Sequence, residues 1–176
     1  MSALDRNPRN PNPLQPNKFK LGFARSPSIQ FFCQSVNIPG VSLSEIPRNT
    51  PFVDLYVPGE KVIYDLLSIT FIVDEVLMGW FEIHDWIRAL TFPEKFEQYQ
   101  QLKQLSPVTN QDFPQYSDAS LTVLDSSQQP TYRIKFVDCF PTSLSSIVLN
   151  TTEDPTTIIT ADATFRFSYY QIEKLF

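Results

Sequence analysis

Apolar and polar positions alternate along several stretches of the chain. In "KFKLGFAR", Phe19, Leu21 and Phe23 fall between Lys18, Lys20 and Gly22, the period of two carried by a half-buried strand. After "SPS", the run "IQFFCQSVNIPG" sets Ile29, Phe31 and Cys33 against Gln30, Phe32 and Gln34. The short turn predicts that these two strands form an antiparallel hairpin. "FVDLYV" predicts a third strand ended by Pro58-Gly59, and "KVIYDLLSITFIV" a further extended run broken near Asp65. The second part of that run is apolar on both faces, which predicts cover on both sides. "ASLTVLD" and "TYRIKFVDCF", joined by "SSQQP", predict a second hairpin in which Tyr132, Ile134 and Phe136 oppose Arg133, Lys135 and Val137. The last strand, "TIITADATFRFSYYQI", carries Ala161, Ala163, Phe165, Phe167 and Tyr169 on one face. Thr160, Asp162, Thr164, Arg166 and Ser168 are on the other.

The period lengthens in "VLMGWFEIHDWIRALTF". Leu77, Trp80, Ile83, Ile87 and Leu90, joined by Trp86, make a broad helical stripe. Trp80, Ile83, Ile87 and Leu90 are the residues expected to dock the helix, with Asp74 as its N-cap. Beyond Pro93, "PEKFEQYQQLKQL" reads as another helical piece and residues 106 to 118 as a loop. "TSLSSIVLN" is mixed. "IPG" and "EIPRNTP" read as rigid, non-helical punctuation. Residues 1 to 17, rich in Asn and Pro, read as an arm. Residues 18 to 176 then form one domain in which 93 to 118 looks like an insertion. The fold class expected is mainly β: an antiparallel sandwich or barrel of six to eight strands with one flanking α-helix.

Hydrophobic residues make up 42% of the chain, enough for a core. A net charge of −5 argues against a DNA-coating protein, which needs cations to displace counterions. It is compatible with a surface past which nucleic acid slides, because acids repel phosphate. Cys33 and Cys139 are the only cysteines and read as reduced core residues. The N-terminal stretch has no apolar segment of a secretory signal, and no apolar run approaches the ~20 residues of a membrane span.

The chemistry-bearing residues do not converge. His84, the only histidine, has Glu82 and Asp85 at spacings of two and one, whereas helix neighbours share a face at three or four. There is no nucleophile elbow, and 4 glycines supply no phosphate-binding loop. No catalytic residue, metal ligand or cofactor is expected. What a plain monomer leaves unexplained is the set of strands with an all-polar face, which are costly to leave as open edges. A barrel closes them, and so does pairing between subunits.

The order of motifs resembles the tail tube protein family of contractile-tailed bacteriophages. It runs from Phe31-x-Cys33 through Ile38-Pro39-Gly40 and Ile46-Pro47 to Val57-x-Gly59-Glu60. It continues with Asp65 and "SITFIVDE", where Thr70, Asp74 and Glu75 hold the strand-end pattern, and then the Trp-bearing helix. The resemblance implies two packed antiparallel sheets with a flanking helix, and hexameric, stacked rings whose inner sheets join around a DNA channel. It implies a structural virion protein, assembled in the host cytoplasm, with sheath, baseplate or neck subunits as partners and only non-specific proximity to DNA. The repeating tube subunit is the main expectation; a baseplate initiator or a neck terminator ring is the alternative. Thr122, Arg133, Lys135, Thr160, Asp162, Thr164 and Ser168 are then expected to face the lumen. Arg133, Lys135 and Arg166 should pair with acids such as Asp162 from a neighbouring strand. The arm and the 40 to 60 loop should reach adjacent subunits. A second expectation, from another class, is a small-ligand barrel with Phe31, Phe71 and Phe165 around a cavity.

Overall fold

The computed structural model describes residues 12–91, 115–152, 154 and 156–175. Among them are nine strands and two helices: β1 (Phe19–Phe23), α1 (Pro27–Phe32), β2 (Cys33–Val36), β3 (Val41–Arg48), β4 (Leu55–Tyr64), β5 (Leu67–Ile72), α2 (Met78–Thr91), β6 (Ser117–Leu124), β7 (Pro130–Leu144), β8 (Thr160–Arg166) and β9 (Tyr169–Lys174). The fold is mainly β with antiparallel pairing throughout, as the alternation predicts. The helical piece expected after Pro93 and most of the 93 to 118 stretch lie outside the described residues, as does the arm up to residue 11. Residues 12–17 are exposed and form no strand or helix.

Strand β7 organises the sheet. The order is β1-β6-β7-β8-β5-β2, with β9 also paired to β7. The first part of β7 holds β9, Tyr132 facing Lys174 and Val137 facing Tyr169. Its last part holds β8, Phe140 facing Arg166. Between the two parts Asp138 takes φ 57°, and inward residues change parity. Ile134 and Phe136 are buried before it, Cys139 and Pro141 after it. One residue in the left-handed region inserts a bulge, which bends the strand and re-aims its side chains. The final strand breaks at the same level. Phe167 and Ser168 separate β8 from β9, so Tyr169 is exposed rather than continuing the buried face of Ala161, Ala163 and Phe165.

The first predicted hairpin does not form. Residues 27–32 are a short helix with Pro27 in its first turn, a position where the missing N–H is no loss. Ile29 is buried, but Phe31, expected beside it, is 83% exposed. β2 is therefore shorter than predicted and pairs with β5, Cys33 facing Phe71, while β1 pairs with β6. Helix α1 bridges the two ends of the sheet, packing on β1, β5 and α2. Ser28 Oγ donates to Glu82 Oε1 at 2.6 Å, tying α1 to α2.

Helix α2 docks through a face rotated from the one expected. Gly79, Ile83, Trp86 and Ala89 are buried; Trp80, Ile87 and Leu90 are half-buried beside them. Gly79 packs beside Phe71 and Ile29, where an added Cβ would make ordinary contact at 3.7 Å and 3.8 Å. Asp74 is not the N-cap, because Leu77, at φ 59°, precedes Met78. Asp74 still serves the helix start, its carboxylate accepting from Gly79 N at 3.4 Å. The core joins Phe23 to Phe165 at 4.8 Å and Trp86 to Phe165 at 6.1 Å between ring centroids. Phe71 and Phe165 are fully buried among packed side chains and Phe31 lies outside them. The three therefore do not surround a common cavity, and the ligand-barrel expectation loses its pocket.

Candidate assembly surfaces

The segment 40 to 60, read as punctuation with one strand, is a hairpin. β3 and β4 pair only with each other, from Val41 opposite Tyr64 to Arg48 opposite Leu55. Pro47, read as punctuation, and Pro58, expected to end a strand, both lie within strands, as edge strands permit. Val41, Leu43, Ile46, Leu55, Tyr56, Val57, Val62 and Ile63 are all exposed. Since strand side chains alternate between faces, both sides of the hairpin are apolar. The tip is ordered by Thr50, whose hydroxyl accepts from Val53 N at 3.2 Å and donates to Val53 O. At the tip Phe52 is 98% exposed.

The short motifs in this region hold the hairpin to the body. Pro39 is buried. Asp65 N donates to Gly40 O at 3.1 Å, and a Cβ on Gly40 would fall 2.5 Å from Asp65 Oδ2. Asn37 clasps β5 from both sides, donating to Leu66 O at 3.0 Å and accepting from Ser68 N at 2.6 Å. These groups make a fixed root from which the hairpin projects.

The seven residues expected at the lumen fall into two groups. Thr122, Arg133 and Lys135 lie on adjoining β6 and β7, where Thr122 faces Arg133 across the ladder. Thr160, Asp162 and Thr164 lie on β8, beside β5 and the end of β7, and Ser168 sits in the break before β9. Within the chain Asp162 does not pair with the cations. Thr70 Oγ1 donates to its Oδ1 at 2.7 Å, and Lys135 pairs instead with Glu173 at 2.6 Å. The β5–β8–β7 face is dense in hydroxyls, Thr164 Oγ1 lying 2.6 Å from Ser143 and 2.9 Å from Thr142.

His84 stacks on Trp80 with centroids 5.0 Å apart, and its Nδ1 is 3.2 Å from Asp85 Oδ1, so Asp85 does reach it, contrary to the helix-spacing argument. Among the described residues no group of three His, Cys, Asp or Glu is placed to hold a metal. Both thiols are free. Burial pushes Cys139 up to about 12 and Cys33 up to about 11, which leaves neither a useful nucleophile. Arg25 lies over the Trp86 ring, 5.1 Å from its centroid. No helix among the described residues is long and apolar enough to cross a membrane.

The described residues thus form a mainly β body that carries a projecting apolar hairpin. The phage tail tube protein family matches residues 11–173, and the chain belongs to that family of structural virion-tail proteins. The tail tube terminator protein of Enterobacteria phage T4 is 29% identical over 145 residues, covering 80% of this chain and 76% of that protein. Two solved structures share the fold. One is the sheath/tube terminator of the PVC extracellular contractile injection system, with 16% identity, 92% and 97% of the two chains covered, and a TM-score of 0.62. The other is the tube-terminating cap of the anti-feeding prophage, with 13% identity, 99% of each chain covered and a TM-score of 0.59.

Proposed function

We propose that the chain is a ring-forming terminator of a contractile tail tube, rather than the repeating tube subunit first expected. The observation that carries the ring-forming part is the β3–β4 hairpin. Among the described residues nothing covers its apolar side chains on either face, and exposed apolar patches of this extent mark contact surfaces. The terminator position is supported by likeness to the phage T4 protein that bears that description.

In this reading the copies close into a hexameric ring around a DNA channel, one end on the tube and the other toward the neck. The wall is the β5–β8–β7 face, with Thr70, Ser143, Thr160, Asp162 and Thr164. Hydroxyls keep such a wall hydrated, and Asp162 repels phosphate. Ser168 borders its lower end. Thr122, Arg133 and Lys135 lie on the other part of the sheet, where Lys135 is already neutralised by Glu173. No residue acts as a catalyst; edges and loops do the work. Electron microscopy of the purified protein tests the reading. Closed rings with a central hole are expected, and a strictly monomeric species at high concentration would count against it.

A further inference from the structure

A groove of about 1010 Å³ lies beside the root of the hairpin. Ile38, Leu124, Tyr132, Ile134 and Ile172 line it, with Leu14 from the arm. Ile134 is buried and faces Ile172 across the β7–β9 ladder, while Ile38, Tyr132 and Ile172 remain exposed. The groove thus has an apolar floor, an aromatic wall and an open mouth. It is the form of pocket in which an aromatic anchor contributes most to an interface.

We propose that this groove receives Phe52 of a second copy. The inference rests on the ring-forming reading and names the contact that carries it. Phe52 is the most exposed large apolar side chain of the described residues, and the Thr50 turn holds its tip in place. Its own groove is out of reach. Ile38 stands at the hairpin root, and eight residues of β3 at strand rise put the tip roughly 25 Å away. Only another molecule can bring a tip to the groove. Tip and groove are different surfaces of one chain, so the contact is head-to-tail and propagates until a ring closes.

The test uses two single variants and a photo-cross-link. Phe52→Asp leaves the groove intact and Ile172→Asp leaves the tip intact. Both positions are exposed, so at a dilution where all are monomeric both variants should melt like the native protein. Each alone should lose roughly tenfold or more in self-association, as an anchor contact does. Their equimolar mixture should recover dimers through the one surviving tip–groove pair. Benzoylphenylalanine at position 52, in a mixture of isotopically light and heavy native-length protein, should cross-link between molecules to residues 123–134 or 169–174. Cross-links to any other surface, a mixture that stays monomeric, or Ile172→Asp that associates like the native chain would each overturn the proposal. Rings formed with such cross-links elsewhere would sink this contact alone, whereas absence of any association in the native protein would sink the ring reading as well.

Discussion

Replacing Phe165 with alanine lowers the unfolding free energy by about 3–5 kcal/mol, the cost of emptying an aromatic site in a packed core. Phe165 has no exposed surface. It sits where β8 meets β5 and β7, opposite Leu67 on one side and Pro141 on the other. Its ring touches Phe23 of β1 and Trp86 of α2. One side chain thus joins both parts of the sheet to the helix. The loss is a large fraction of the stability a domain usually has, and urea unfolding followed by tryptophan fluorescence reads it. Phe52→Ala is the control at a dilution where both proteins are monomeric: the same atoms are removed from the hairpin tip, and the midpoint should not move. A Phe165→Ala loss below about 1 kcal/mol would be under the range for buried aromatics and would mean that this core is not organised around that ring.

Gly59→Ala acts on assembly and spares the body. Gly59 lies opposite the point where the β3–β4 register slips between Leu43 and Glu45. A Cβ at 59 would fall 2.6 Å from the Ser44 carbonyl oxygen and also meet the Ser44 hydroxyl. Backbone cannot yield as a side-chain tip can. Such crowding costs typically about 1–3 kcal/mol, and a two-stranded hairpin without a covering layer is marginal to begin with. The hairpin should therefore lose order while the core, which lies elsewhere, keeps its melting midpoint. Amide exchange should rise across 41–48 and 55–64, and the assembled fraction should fall steeply in sedimentation. Raised exchange with unchanged assembly would remove the hairpin from the contact.

The strands around the core were legible because burial on one face imposes a period of two. Ala161, Ala163 and Phe165 are inward and Thr160, Asp162 and Thr164 outward, and the β6–β7 hairpin lies where alternation put it. Helix α2 was legible for the same reason at its own period. The hairpin was not, because apart from Tyr64 at its root the apolar residues of β3 and β4 are exposed on both faces. Apolar residues on both sides look like noise, and Pro47, Pro58 and Gly59 look like breaks. Helix α1 was hidden by chance alternation in a six-residue segment, too short for helical period to show. The bend of β7 was invisible because Asp138 in the left-handed region leaves no trace in an alternating pattern until parity is compared across it. For the candidate site, sequence supplied the polar residues expected at the lumen, and the fold sets them in two groups along β7. The bulge at Asp138 is what divides Thr122, Arg133 and Lys135 from Thr160, Asp162 and Thr164. The groove at Ile172 combines residues from the arm, β6, β7 and β9, and no linear stretch announces it.

We propose that this chain ends a tail tube instead of building its length. Copy number and position in intact tails test that directly, by quantitative mass spectrometry of purified particles together with electron microscopy of tails carrying a tag on the chain. One ring's complement of the chain per tail, confined to the neck end of the tube, is the expected result. A chain present in many rings along the tube, or absent from the tail, would contradict it.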